Sequence, residues 1–368
     1  MKLKKFKDNP VLTPNDGNEW ESLVTCNPGV IYDNGIYYML YRAAGNDKDH
    51  VIRFGLATST DGFNFKRASD TPVFGPSADG PDSGCVEDPR IVKFADDFFV
   101  TYAYRAYPPG QYWKFEHDVV NTPECSEYMP AAVRKNLGNT ALAVTKDFLN
   151  YRRLGRITSP VLDDRDVIIF PEKIDEKFVM LHRPKQYTGP GFGTMYPAVW
   201  LKYSDDLLAW EDKESHLLLT GFDGTWEEKI GGSTPPILTE RGWLMLYHGV
   251  EHGGHGHYRV GAVLLDKNNP LHIIGRTPEP ILEPEEEHEI KGYYNGCVFP
   301  TGNVIVEGQL LVYYGCADKH IGVASCLLDE LLDHLESEQC RNAAARSTKN
   351  IVVRNHKAQT VQNSIIQQ

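Results

Sequence analysis

The sequence predicts an all-β fold, a five-bladed β-propeller with a funnel-shaped central active site, on three observations. A strand, a tight polar turn and a second, aromatic-rich strand recur five times along the chain. Each such hairpin is followed by a small-residue strand ending in a polar turn. No unit is long enough to bury both of its faces alone, so the units must pack against one another around a centre.

The first hairpin is 30–42 (VIYDNGIYYMLYR), with Asp33-Asn34-Gly35 at the turn, where Asn and Gly accept a positive φ cheaply. Its third strand is 55–67. The second hairpin, 91–105, is followed by a third strand at 141–153, and between them lies the stretch 106–138. That stretch contains Pro108-Pro109-Gly110 and Gln111-Tyr112-Trp113 and reads as an insertion in the second blade, either a lid on the funnel or a solvated excursion. The third unit is 171–184 with 200–212, the fourth 235–249 with 261–276, and the fifth 303–315, with Glu307-Gly308 at its turn, followed by 322–335. A β-sandwich is the alternative architecture, but sandwiches do not repeat one hairpin-plus-strand unit five times. The propeller is therefore expected over 1–335. The polar stretch 336–368 is expected as a frayed or helical tail outside it.

Hydrophobic residues make up 41% of the 368 and charged ones 24%, which suits a chain that buries a real core and argues against disorder. A net charge of −12 with no lysine or arginine block excludes a nucleic-acid footprint. The basic start, Met1-Lys2-Leu3-Lys4-Lys5-Phe6-Lys7, runs into polar residues without an apolar stretch. It predicts neither signal peptide nor membrane span, and the expected location is cytoplasmic. Seven cysteines without a C-x-x-C pair are expected to be free, mostly buried thiols. The oligomeric state stays open, a homo-oligomer included.

Inner strand ends of a propeller converge on the funnel, so ionisable residues at hairpin edges are the site candidates. They are Cys26-Asn27-Pro28, Tyr41-Arg42, Glu87-Asp88-Pro89-Arg90, Phe170-Pro171-Glu172-Lys173, His182-Arg183-Pro184-Lys185, Tyr247-His248-Gly249 and Gly315-Cys316-Ala317-Asp318. Glu87-Asp88-Pro89-Arg90 is the strongest, because a proline-fixed turn aims its acid rigidly and the arginine tunes the charge. Arg183 and Lys185 have an alternative fate in pairing with acids such as Asp175 and Glu176. The stretch from His252 to His257 carries three imidazoles in a glycine-rich loop, read as a flexible funnel rim, and no metal is expected. Tyr107, Tyr112 and Trp113 offer faces for a sugar ring or for a small core within the insertion.

Taken in order, one set per blade, these motifs with Gly55-Leu56-Ala57-Thr58-Ser59, Pro235-Pro236-Ile237, Val298-Phe299-Pro300-Thr301-Gly302 and Tyr313-Tyr314 carry a family resemblance. From Asn27 to about Leu335 the chain resembles glycoside hydrolase family 130, the β-mannoside phosphorylases and related β-mannosidases. The resemblance implies an inverting reaction in which Asp88 is the general acid, acting by relay through a hydroxyl of the bound mannose. It implies that Asn27, Arg42, Arg53, Arg90 and Asp318 hold the mannosyl unit. Inorganic phosphate is then the co-substrate and nucleophile, with no cofactor, and Lys173, Arg183, Lys185 and His248 can form its site.

One departure stands out. Where the family commonly has an arginine before the A-L-A-x-T strand, this chain has Asn139-Thr140, so a substitute cation must come from Arg134 or Lys135, or the site activates water. A hydrolase would need a second carboxylate as base, and Glu172, Glu227 and Glu228 are the candidates. The expected function is inverting phosphorolysis of β-mannosides to α-mannose 1-phosphate. The alternatives are an inverting β-mannosidase and a non-catalytic carbohydrate-binding propeller.

Overall fold

The structure is a computed structural model, and it describes residues 1–114, 120–251 and 256–351. A two-residue strand, β1 (Lys4–Lys5), precedes the first complete sheet of β2 (Val24–Asp33), β3 (Ile36–Ala44), β4 (Arg53–Ser59) and β5 (Lys66–Arg67). The second sheet is β6 (Cys85–Phe94), β7 (Asp97–Arg105), β8 (Asn139–Thr145) and β9 (Tyr151–Arg156). The third is β10 (Asp164–Ile169), β11 (Phe178–Pro184), β12 (Val199–Ser204) and β13 (His216–Leu219). The fourth holds β14 (Lys229–Gly232), β15 (Ile237–Thr239), β16 (Gly242–Val250), β17 (Arg259–Leu265) and β18 (Ile273–Arg276). The fifth is β19 (Val298–Val306), β20 (Gln309–Cys316) and β21 (His320–Leu327), with β1 added on the outside of β21. These are the five blades, and β1 ties the start of the chain into the last of them through Lys4↔Ser325 and Lys5↔Ala324.

The leading strands form the inner ring: β2 lies against β6 and β19, β6 against β10, and β10 against β14. Hairpin turns sit at the opposite end from the site and follow the local chemistry. Asn34 and Gly35 both have positive φ, as do Glu307 and Gly308, the combination that two-residue turns between twisted strands require. The third blade does the same with Asp175 and Glu176 and no glycine.

That blade begins earlier than the sequence pattern suggested. Its inner strand is β10, so Pro171-Glu172-Lys173 follows the strand at the turn end, and Ile174 bridges Lys177 there.

Apolar faces between blades fill the core. Ile168, Leu181, Val199 and Leu201 of the third blade meet Trp243, Met245 and Tyr247 of the fourth, all essentially excluded from water. Each such side chain contributes roughly 1.5–3 kcal/mol through burial.

After β21 come two helices, α1 (Leu328–Leu335) and α2 (Glu338–Ile351). Polar composition hides a narrow packing face on the second helix, where Cys340, Ala343, Ala344 and Ser347 are buried at helical spacing. Ala344 joins the core of the third and fourth blades, and Arg276 Nη1 donates to Ser347 Oγ at 2.8 Å. Among the described residues, no helix is long and apolar enough to cross a membrane.

Candidate active site

Three of the inner strands share one irregularity. The β2–β3 register slips between Cys26 and Gly29, β6–β7 between Glu87 and Arg90, and β10–β11 between Arg165 and Ile168. At each slip one residue takes a left-handed backbone: Asn27 (φ 45°), Asp88 (φ 53°) and Asp166 (φ 59°). Asn and Asp tolerate this conformation best, and a bulge turns a side chain out of the strand pleat. Three neighbouring blades thus present a polar group at the same place in the repeat. Arg42 and Arg183 each pair with the residue just before a bulge, and on the fourth blade His248 pairs with Gly231. A side chain at Gly231 would collide with His248, its Cβ falling 2.5 Å from the imidazole and 2.6 Å from the Asp166 carboxylate.

These residues line a cavity of about 430 Å³. On one side, Asp88 Oδ1 accepts from Asn27 Nδ2 at 2.8 Å and from Arg42 Nη1 at 3.1 Å. Arg42 Nη2 also donates to the Tyr112 hydroxyl at 3.3 Å, and that hydroxyl donates to Asp318 Oδ2 at 3.3 Å. Burial pushes the Asp318 carboxyl up, against the pull of Arg42. Asn27 Oδ1 and Arg42 Nε are buried without partners among the described residues, which suits a ligand rich in hydroxyls.

The other side is cationic. Arg183 Nε meets Asp166 Oδ2 at 2.5 Å, while its Nη1 is buried without a partner among the described residues. Arg165 and Lys185 share Asp163, at 3.0 and 3.2 Å. Lys229 Nζ donates to the Tyr258 hydroxyl at 3.2 Å. Arg165 crowds Lys185, and with burial brings its amine down to about 7; burial, then Arg183 and Arg165, bring Lys229 to about 8. Seven cationic side chains line the cavity against five carboxylates, a local excess on a protein of net charge −12. Such crowding is what a bound anion relieves.

Of the residues expected at the site, Asn27, Arg42, Asp88, Arg183, Lys185, His248 and Asp318 line the cavity. His248 does so as a neutral donor rather than a cation, because burial pushes its imidazole down to about 3. Arg183 and Lys185 pair with Asp166 and Asp163, not with Asp175 and Glu176.

Four expectations need correction. Lys173 lies over the Phe178 ring at 4.4 Å, exposed at the turn end of the third blade and off the cavity wall, with Glu172 exposed beside it. Arg53 is likewise off the wall, donating to the Val51 carbonyl at 3.0 Å. Arg90 lies behind the wall, held by Asp166 Oδ1 at 3.3 Å, by the Ser233 carbonyl at 2.9 Å and by the carbonyl of Asp88 itself at 3.2 Å. It fixes the Asp88 turn and does not face the cavity. Glu227 is buried in a knot with Arg276 and Tyr247, both at 2.7 Å, and Glu228 binds the Gly224 amide at 2.7 Å.

The insertion supplies part of the wall through Pro109, Tyr112, Val120, Lys135, Asn136 and Leu137. Trp113 instead packs edge-on against His50 and tilts onto Tyr293. Of the two substitute cations, Lys135 reaches the wall and Arg134 does not, its Nε donating to the Met129 carbonyl. His252 to His255 lie outside the described residues.

Sequence reasoning missed Arg165, Asp163, Asp166 and Lys229. The apolar run Val167-Ile168-Ile169-Phe170 was the signal for the first three, since it matches the inner strands after Asn27-Pro28 and Asp88-Pro89, whereas Lys229 on β14 had none. Elsewhere, His288, Glu289 and Cys316 come within 4.8 Å of one another. Glu289 is already saturated there by Lys5, Tyr314 and two backbone amides.

The family model described as beta-1,4-mannooligosaccharide phosphorylase matches residues 2–337. A 1,2-beta-oligomannan phosphorylase of Thermoanaerobacter sp. (strain X514) is 37% identical over 332 residues, covering 88% of this chain and 97% of the relative. A beta-1,2-mannobiose phosphorylase of the same strain is 34% identical, with 88% and 97% covered. Among solved structures, the beta-1,2-mannobiose complex of the Listeria innocua phosphorylase superposes with a TM-score of 0.71 at 27% identity, covering 91% of this chain and 99% of that one. The chain belongs to glycoside hydrolase family 130.

Proposed function

We propose that this protein phosphorolyses β-1,2-linked mannosides with inversion, releasing α-mannose 1-phosphate and a shortened acceptor. One observation carries the choice of phosphate over water: the cavity joins the Asp88 cluster to a surplus of cations, and each of its five carboxylates already has a partner. Glu172, Glu227 and Glu228, the bases a hydrolase would have used, lie off its wall. The β-1,2 linkage is inferred from the two Thermoanaerobacter relatives named for it.

In this scheme the mannosyl unit sits among Asn27, Arg42, Tyr112 and Asp318. Asp88 gives up its proton toward the glycosidic oxygen by way of a sugar hydroxyl. Phosphate, held by Arg165, Arg183, Lys185 and Lys229 with His248 as a neutral donor, attacks the anomeric carbon from the opposite face. It forms the new C–O bond as the acceptor leaves. No enzymic base is needed, because the nucleophile arrives as an anion. Phosphate is the co-substrate, and no other partner enters the scheme.

The test is to incubate the protein with β-1,2- and β-1,4-mannobiose, with and without phosphate, and identify products. Mannose 1-phosphate formed faster from the β-1,2 isomer and only with phosphate is expected. Free mannose at equal rates in both conditions refutes the proposal.

A further inference from the structure

Asp163 is a carboxylate on the wall of a site meant for an anion, where its charge alone repels the ligand. Its surroundings give it another task. Its Oδ1 takes Arg165 Nε at 3.0 Å and its Oδ2 takes Lys185 Nζ at 3.2 Å. The backbone on both sides is fixed: the Asp163 amide donates to Gln186 Oε1 at 3.1 Å, and the Lys185 amide donates to the Asp163 carbonyl at 2.9 Å. Asn139 Nδ2 donates to the Leu162 carbonyl at 2.6 Å, and the Asp164 amide to the Gly138 carbonyl at 2.9 Å. The Arg165 side chain lies directly over Gly138, in space that any Cβ there would occupy.

We propose that Asp163 is a positioning residue for phosphate: it holds Arg165 across Gly138 and Lys185 alongside, giving the start of β8, where Gly138 and Asn139 bring no cation of their own, two fixed ones from the third blade. This rests on the phosphorylase proposal above. Two flexible cations left unpaired would repel each other and spread into solvent, and a shared carboxylate prevents that.

The perturbation Asp163→Asn separates the two roles by sign. If Asp163 acted only through its charge, removing it would lower the KM for phosphate. Positioning predicts the reverse, a rise of about tenfold or more in phosphate KM, the scale of losing hydrogen bonds to charged groups, with mannoside KM within about twofold. Asp163 also helps Lys185 keep its proton, so the pH above which phosphate KM climbs should move downward in the variant. Asp163→Glu should recover part of the loss. If Asp163→Asn does not fold, Gly138→Ala, which pushes Arg165 aside while leaving every charge in place, should raise phosphate KM in the same way.

An unchanged or lowered phosphate KM in a folded variant overturns the inference. A wild type that needs no phosphate would sink the phosphorylase proposal instead. In that case thermal stabilisation by added phosphate, compared between wild type and Asp163→Asn, still decides: equal stabilisation rejects the positioning role, and a loss supports it.

Discussion

Asp166 is the counter-charge on which the cationic half of the cavity depends, and Asp166→Asn measures how much. The carboxylate is buried and meets Arg183 at 2.5 Å, Arg90 at 3.3 Å and His248 at 3.6 Å. Although burial works against its charge, Arg183, His248 and Arg90 hold its carboxyl well below the usual range. Asparagine keeps the size and the left-handed backbone preference but removes the charge, leaving two buried guanidiniums without compensation. Breaking a buried ion cluster from one side costs about 3–5 kcal/mol. At roughly 2 °C per kcal/mol for a chain this large, the apparent melting temperature should fall by about 6–10 °C.

Circular dichroism melts at pH 7 read the effect directly. Because the folded pKa is depressed, the contribution is fully present above the ordinary aspartate value of about 4 and is lost only as pH falls below it. The gap between wild type and variant should therefore be as large at pH 5 as at pH 7. A melting temperature within about 2 °C of wild type at pH 7 would refute the assignment of Asp166 as the organising charge.

Three further outcomes are expected. Asp88→Asn should cut turnover by at least about a thousandfold with the fold retained, because the change keeps the size of the side chain and removes the proton donor; substantial residual turnover would remove Asp88 from that role. Raising pH through 7 to 8 should raise phosphate KM, because Lys185 and Lys229 lose their protons near about 7 and about 8 and neutral amines no longer attract the anion; a flat profile contradicts their placement around phosphate. Glu227→Gln should lower the melting temperature by disturbing the buried knot with Arg276 and Tyr247, yet leave kcat at low temperature within about threefold. Loss of turnover in that variant would instead make Glu227 a base.

Propeller architecture was legible because its signals are local. Turn pairs such as Asn34-Gly35 and Glu307-Gly308 mark hairpins without reference to the rest of the chain. Closure of the ring by β1 was not legible, since a two-residue strand has no periodicity to detect.

Asn27, Arg42, Asp88 and Asp318 converge on one side of the cavity, and the turn prolines Pro28 and Pro89 flag two of them in the sequence. On the third blade the same bulge carries Val167 in place of proline, so Asp166 showed no motif. Reading that blade from Pro171 onward moved attention to Lys173, several residues past the inner strand and at the wrong end of the hairpin. Arg53 and Arg90 failed for another reason. A strand-end position says that a residue is near the funnel, but which way a long side chain points is decided by packing partners such as Asp166 and the Ser233 carbonyl.

The central claim is that phosphate, not water, attacks the mannosyl carbon. It is tested most directly by running the reaction on β-1,2-mannobiose in ¹⁸O-labelled water with phosphate present and analysing the sugar products. Unlabelled α-mannose 1-phosphate, with one phosphate consumed for each glycosidic bond broken, is the predicted result. Two molecules of free mannose for each bond broken, with no mannose 1-phosphate formed and phosphate unconsumed, would contradict it.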